Sequence, residues 1–176
     1  MDTTSRIDTF ISVLRKACKA GQPTGYASDT PTDKLTTLTG NVNDLCWEIA
    51  AHAKQTDPAN KIIMADSIEH NATNIINTCI TELKNLGHTA ESAIELIATD
   101  GALWFWSVNQ HPLSTLDQYI PAAKRIQSLY VATGLLMEWW PNKISPQNNI
   151  EPNSELERTF VNLAYEATCA IIAHTH

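Results

Sequence analysis

Apolar residues recur along most of the chain at alternating steps of three and four positions. The clearest run is Leu35, Leu38, Val42, Leu45 and Ile49. Residues with this spacing share one face of an α-helix, whereas a half-buried strand needs an alternation with period two. No convincing period-two alternation of β-branched residues occurs in the sequence. The pattern therefore predicts an all-α protein.

Glycine, proline and capping residues divide this pattern into six segments. Asp57 and Pro58 separate the second segment from the third, and Gly87 follows the third. Pro141 is expected to end the fifth helix and Ser154 to cap the sixth, because proline interrupts a helix and serine accepts a first-turn N–H. The predicted helices span residues 3–20, 33–56, 59–86, 89–110, 121–140 and 154–173.

The length and composition fit one globular domain. The chain has 176 residues, of which 43% are hydrophobic, enough for a single domain with its own core. We expect a single-domain bundle of about six helices over residues 1–176, with flexible loops near 22–32 and 141–153. No apolar run reaches membrane-spanning length and no signal peptide is recognised, so we expect a cytoplasmic protein without a membrane partner.

Charge and cysteine spacing exclude two further classes of site. The net charge is −7, whereas proteins that bind nucleic acid nonspecifically carry basic patches. The four cysteines, none in a CxxC pair, are Cys18, Cys46, Cys79 and Cys169. A four-cysteine zinc site normally contains closely spaced pairs. We therefore expect buried free thiols, no metal site and no nucleic-acid partner.

The most apolar stretch, residues 94–108, is predicted to lie in the fourth helix. One face of that helix would hold Ala93, Ile97, Asp100 and Trp104. Two interpretations of Asp100 stay open. Its carboxylate is buried and needs a cation, several N–H donors or a proton. Alternatively, Asp100 and Gly101 form a turn or a helix C-cap, with the carboxylate in water.

Several large apolar side chains are predicted to point away from the main apolar face of their helix. These are Trp47, Trp106, Val131, Leu135 and Trp139. Large exposed apolar patches mark protein interfaces, and tryptophan is enriched at their energetic centres. Our leading expectation is therefore a protein that works by binding, either as a homo-oligomer (most simply a homodimer) or as an adaptor or inhibitor of another protein.

A metal-dependent hydrolase is the alternative. The candidate carboxylate ligands, all on predicted helices, are Glu48, Glu69, Glu91, Glu95 and Asp100. Carboxylates can hold Mg²⁺ or Mn²⁺, which orients phosphates and activates water. In being helical and acidic the chain resembles the all-α nucleotide pyrophosphohydrolases, which implies nucleotide substrates and a magnesium cofactor. The ExxE and ExxD motifs of those enzymes do not occur at these carboxylates.

A third possibility is a small-ligand site in the bundle core. Trp104, Tyr130 and Trp140 are predicted to line an aromatic pocket there. The sequence contains neither a GxSxG motif nor a glycine-rich phosphate loop. His88, which follows Gly87, is interpreted as a neighbour of the fourth helix cap. We therefore expect a binding protein without a cofactor rather than an enzyme, and leave the hydrolase open.

Overall fold

The computed structural model of the protein is a bundle of α-helices. The residues that it describes form six helices and no β-strand. Those residues are 3–19, 31–109, 122–143 and 150–175, with side chains for 8–19, 33–101, 122–138 and 155–174. The helices are α1 Thr3–Lys19, α2 Pro31–Lys54, α3 Pro58–Asn85, α4 Ala90–Asn109, α5 Ala122–Lys143 and α6 Ile150–Thr175. The prediction of an all-α helical bundle is confirmed.

The last helix, α6, lies at the centre of the bundle. Every side chain from Thr159 to Ile171 is buried. The helix packs most extensively against α3, then against α5 and α4, with smaller contacts to α1 and α2. A helix covered on all sides cannot present a polar face to water. Residues 94–108, the most apolar stretch of the sequence, belong to α4 as predicted, and the side chains after Gly101 lie outside the described residues.

The junction between α2 and α3 forms as the local sequence predicts. The Asp57 carboxylate accepts a hydrogen bond from the Ala59 N–H at 3.1 Å and caps α3. Pro58 takes the first helical position, where a missing N–H costs nothing. At the other end of α3, Gly87 has φ 109°, a conformation that favours glycine. The predicted face of α2 is also confirmed, with Leu38, Val42, Leu45 and Ile49 fully buried.

A buried amide joins α1 to α3. The Asn77 side chain donates from Nδ2 to the Ala17 carbonyl at 2.9 Å and to the Thr73 carbonyl at 3.0 Å. Ala17 lies in the last turn of α1, where carbonyls have no donor within their own helix. Asn77 therefore supplies the missing donor. On the same side of the bundle, Phe10 of α1 stacks on Tyr165 of α6 with ring centroids 4.9 Å apart.

Several predicted helix ends were wrong, and a proline in the first turn explains those at the starts of α2 and α6. Pro141 does not end α5, which runs on to Lys143. Ser154 does not cap α6, which begins four residues earlier at Ile150. Pro152 lies in the first turn of α6, where a proline is tolerated, and is the better start signal. Likewise α2 begins at Pro31, so Asp33 lies inside its first turn.

The two predicted loops are shorter than expected. Because of these helix ends, residues 31–32 belong to α2, 141–143 to α5 and 150–153 to α6. The remaining loop positions, 22–30 and 144–149, lie outside the described residues.

The prediction that Asp100 is in water is confirmed, whereas the buried carboxylate and the turn or C-cap at Asp100 and Gly101 were wrong. Helix α4 continues through them without a turn, and Asp100 is exposed. The buried arc of α4 consists of Ala93, Ile94, Ile97 and Gly101, so Asp100 lies beside it rather than within it. Gly101 lets α4 pack closely against α6 because it has no side chain, and its backbone has an ordinary helical conformation.

Candidate functional site

Trp47 is the most exposed large apolar side chain among the described residues. Its exposed fraction is 77%, and it projects from α2 opposite the buried Leu45 and Ile49. A tryptophan this exposed in the middle of a 24-residue helix leaves a large apolar area in water. The structure therefore places Trp47 on the outer side of α2, as the sequence predicted.

Two further large apolar side chains are exposed on α5, the helix that packs beside α2. Tyr130 is exposed, and a side-chain hydrogen bond links it to Cys46, the residue before Trp47. Met137 is also exposed and lies seven positions after Tyr130, which puts it on the same side of α5. We call Trp47, Tyr130 and Met137 the Trp47 face.

The exposure of Tyr130 corrects the prediction of an enclosed aromatic pocket. Trp104 and Trp140 have side chains outside the described residues, and the third member, Tyr130, faces solvent. The buried residues of α5 are Arg125, Ser128, Leu129, Ala132, Thr133 and Leu136. Three of them are polar, so the apolar pattern alone does not mark the inner side of this helix.

The other predicted interface residues that the structure describes are less exposed than Trp47. Val131 is 38% exposed, near the opposite edge of the buried arc of α5 from Tyr130. Leu135 is half-buried. The side chains of Trp106 and Trp139 lie outside the described residues.

The candidate metal-binding carboxylates are not brought together. Glu69 forms an ion pair with Lys16 at 3.6 Å, and Glu91 forms one with Arg15 at 3.0 Å. Glu48 is half-buried on α2. Glu95 and Asp100 are exposed on α4. Within the described ranges, no three His, Cys, Asp or Glu side chains converge as metal ligands.

The cysteines form no disulfide, and three of the four are buried, as predicted; Cys18 is half-buried. Burial is the main cause that raises the pKa of the Cys18 and Cys46 thiols, in each case to about 11. Burial also raises the pKa of Cys79 and Cys169. A protonated thiol is a poor nucleophile. None of the four is therefore suited to nucleophilic chemistry at neutral pH.

A polar cluster lies inside the core where α5 meets α6. Arg125 and Glu166 are almost fully buried, and so are Tyr165 and Cys169 between them. Burial, and then the charge of nearby groups including Glu166, raises the pKa of both Tyr165 and Cys169. No sequence pattern predicted this cluster, because a polar residue on a helix is ordinarily expected to be exposed.

Two histidines meet near this cluster. His52 of α2 and His174 of α6 have their Nδ1 atoms 3.2 Å apart, with the rings edge to face. Burial lowers the pKa of His174 to about 4, with further lowering by Arg125, His52 and Lys61. Burial and Lys61 lower the pKa of His52 as well. A hydrogen bond between two Nδ1 atoms needs one donor and one acceptor, so protonating both rings would break this contact.

A serine, a histidine and a glutamate form a continuous hydrogen-bonded chain at the start of α4. His88 Nδ1 lies 3.0 Å from the hydroxyl oxygen of Ser92. The other ring nitrogen, Nε2, contacts the Glu157 carboxylate of α6. Thr89 caps the helix beside them by accepting the Ser92 N–H at 3.1 Å. We call Ser92, His88 and Glu157 the Ser–His–Glu chain.

The carboxylate fixes the roles of the two ring nitrogens. An ionised carboxylate only accepts hydrogen bonds, so His88 Nε2 carries a proton and donates it to Glu157. In the neutral imidazole, Nδ1 then has a lone pair that accepts the hydroxyl proton of Ser92. This is the relation of nucleophile, base and orienting group that activates a serine. The sequence has no GxSxG motif, so it did not predict this arrangement.

The sequence could have suggested half of this arrangement. Ser92 follows His88 by only four positions, so the two side chains are close along the chain, with His88 just before α4 and Ser92 in its first turn. Glu157 is 69 positions from His88, and only the packing of α6 brings it there.

The chain matches no protein-family model, no curated protein and no solved structure. A proposal for its function therefore rests on the arrangement of its own side chains. Among the helices that the structure describes, none is long and apolar enough to cross a membrane.

Proposed function

We propose that the protein works by binding, and that a second copy of the same chain covers the Trp47 face. The observation that supports this proposal is the 77% exposure of Trp47 on an otherwise well-packed helix. Tryptophan is the residue most enriched at the energetic centres of protein interfaces. A twofold dimer presents the same surface from both copies, so one tryptophan contributes twice.

The apolar area of the Trp47 side chain is large enough to stabilise a dimer measurably. Covering Trp47 would remove on the order of 150 Å² from water, worth about 4 kcal/mol per copy before the costs of association. Tyr130 and Met137 add apolar area beside it and help to exclude water. The stripe of Val131 and Leu135 on α5 presents less apolar area to a partner. Leu135 is half-buried, and little more than a third of Val131 is exposed.

The net charge distinguishes a second copy from a different partner. Two copies that each carry −7 repel one another, so salt should strengthen a homodimer by screening that repulsion. A basic protein would be attracted to the same acidic chain, and salt should weaken that complex. The dependence on salt therefore reports which kind of partner the Trp47 face binds.

The experiment is sedimentation of the full chain at 1–100 µM in low and high salt, with Trp47→Gln and Val131→Gln as matched variants. We expect a dimer that tightens with salt, is lost in Trp47→Gln and persists in Val131→Gln. A monomer at all concentrations would overturn the homodimer. A dimer lost only in Val131→Gln would assign the interface to the Val131–Leu135 stripe.

A further inference from the structure

We propose that the Ser–His–Glu chain is an acyl-transfer site that cleaves small carboxylic esters. This activity is separate from the proposed dimer, since none of its three residues belongs to the Trp47 face. The proposal rests on the continuous contact from Ser92 through His88 to Glu157, and on its accessibility.

The three side chains are placed where a substrate can reach them. The side chain of His88 is 22% exposed and that of Glu157 is 35% exposed. Ser92 is half-buried. Partial burial strengthens the hydrogen bonds of the chain, and the remaining exposure leaves an approach to the hydroxyl.

The start of α4 supplies hydrogen-bond donors beside the nucleophile. Ser92 is the third residue of this helix, which begins at Ala90. The first N–H groups of a helix have no acceptor within it, and they favour negative charge. Thr89 accepts the N–H of Ser92, so the N–H groups of Ala90 and Glu91 are the candidates to stabilise an oxyanion.

The reaction would proceed in two balanced halves. Ser92 Oγ attacks the ester carbonyl carbon while its proton moves to His88 Nδ1. The bond between the carbonyl carbon and the alcohol oxygen breaks, the alcohol takes the proton from His88, and Ser92 holds the acyl group. Water then attacks the acyl carbon, passes a proton to His88 and releases the carboxylic acid. His88 returns that proton to Ser92 Oγ.

Glu157 has a positioning role in this scheme. It contacts neither the substrate nor the reacting atoms, but it holds His88 in the tautomer that presents a lone pair to Ser92. It also stabilises the imidazolium that forms in each half. A purely structural role for the same contact would be to fasten the start of α4 to α6, and the test has to separate the two.

The first measurement is labelling of the full chain with a fluorophosphonate, followed by mass spectrometry of the modified peptide. We expect one adduct, on Ser92. Ser67, a half-buried serine of α3, provides the matched control, so Ser67→Ala should label normally and Ser92→Ala should not. An unlabelled wild-type chain, or labelling that survives Ser92→Ala, would overturn the proposal. The wild-type peptide decides the matter even if a variant fails to fold.

The second measurement is hydrolysis of p-nitrophenyl acetate. We expect Ser92→Ala and His88→Gln to lower the rate at least a hundredfold. Glu157→Gln should lower kcat at least tenfold, with partial recovery in Glu157→Asp and no loss in the control Glu155→Gln, whose carboxylate forms an ion pair with Arg158 in the same helix. Equal rates in Glu157→Gln and Glu155→Gln, at equal thermal stability, would reduce Glu157 to a structural contact.

Discussion

Gly101 of α4 and Tyr165 of α6 are in contact without space for another atom between them. A Cβ atom built at position 101 would lie 2.5 Å from the Cβ of Tyr165 and 2.6 Å from its ring. Real Cβ atoms do not approach that closely, so the two helices can meet at this distance only because position 101 has no side chain. The contact fixes α4 against the buried central helix.

Replacing Gly101 by alanine should therefore destabilise the protein. The added methyl group has to push the two helices apart or move the Tyr165 ring, and overpacking of this kind costs about 1–3 kcal/mol. Urea unfolding would measure the loss. A free energy of unfolding equal to or above that of the wild type would contradict the close contact.

Two other helical glycines should respond in the opposite direction. A Cβ at Gly40 or at Gly134 meets nothing within 4 Å, and both positions are exposed. Alanine there restricts the unfolded chain and favours helix, so each substitution should stabilise the protein by about 0.5–1 kcal/mol. The same urea titrations serve as matched controls for Gly101→Ala.

Removing the Glu82 charge should be costly, because its ion pair is buried. The Glu82 carboxylate accepts from Lys34 Nζ at 3.1 Å, and its side chain is only 9% exposed. Glu82→Gln would remove a buried carboxylate that offsets the charge of the half-buried Lys34 ammonium, at a cost of about 2–4 kcal/mol. Thermal or urea unfolding of the variant would measure it.

Glu91→Gln is the matched control for that variant. Glu91 forms its ion pair with Arg15 at the same kind of distance, 3.0 Å, but its side chain is 70% exposed. Exposed pairs contribute less than about 1 kcal/mol, and salt screens them. Equal losses in the two variants would show that burial does not govern the strength of these pairs.

The contact between His52 and His174 should make the fold sensitive to mild acid. Burial, then Arg125, His52 and Lys61, lowers the pKa of His174 from the ordinary value of 6.5 to about 4. Between these values the unfolded chain binds a proton that the folded chain does not, so stability is complete above pH 6.5 and falls as the pH drops towards 4. The loss from this group is at most about 3 kcal/mol.

Urea unfolding of the wild type and of His174→Gln at pH 7 and pH 5 would test this. The variant should lose less stability than the wild type on acidification, since it has no group to protonate at that position. Equal losses would assign the acid sensitivity to other groups.

The helix pattern predicted the fold class because most helices have one apolar face, and local signals placed α3 to within one residue at each end. Asp57, Pro58 and Gly87 act on the backbone within two residues of themselves, so distant contacts have little influence on them. The pattern failed where polar side chains are buried. In α6 the apolar stripe is buried, but so are polar residues such as Glu166, and in α5 Arg125 is buried as well, so the apolar pattern marks only part of the inner side of each helix.

The two candidate sites also differ in whether local sequence determines them. The exposure of Trp47 could be predicted, because a single helix determines which residues lie opposite its apolar face. The Ser–His–Glu chain could not, because Glu157 reaches His88 only through the packing of α6 against the start of α4. Contacts between residues far apart in sequence leave no local pattern.

The central position of α6 has a consequence for how the chain is made. Synthesis runs from the N-terminus, so α1 to α5 leave the ribosome before the helix around which they pack. Until residues 159–171 emerge, the inner sides of α3, α4 and α5 have no cover other than one another or a chaperone. Completion of α6 is therefore the step at which a nascent chain with exposed apolar faces becomes a closed bundle.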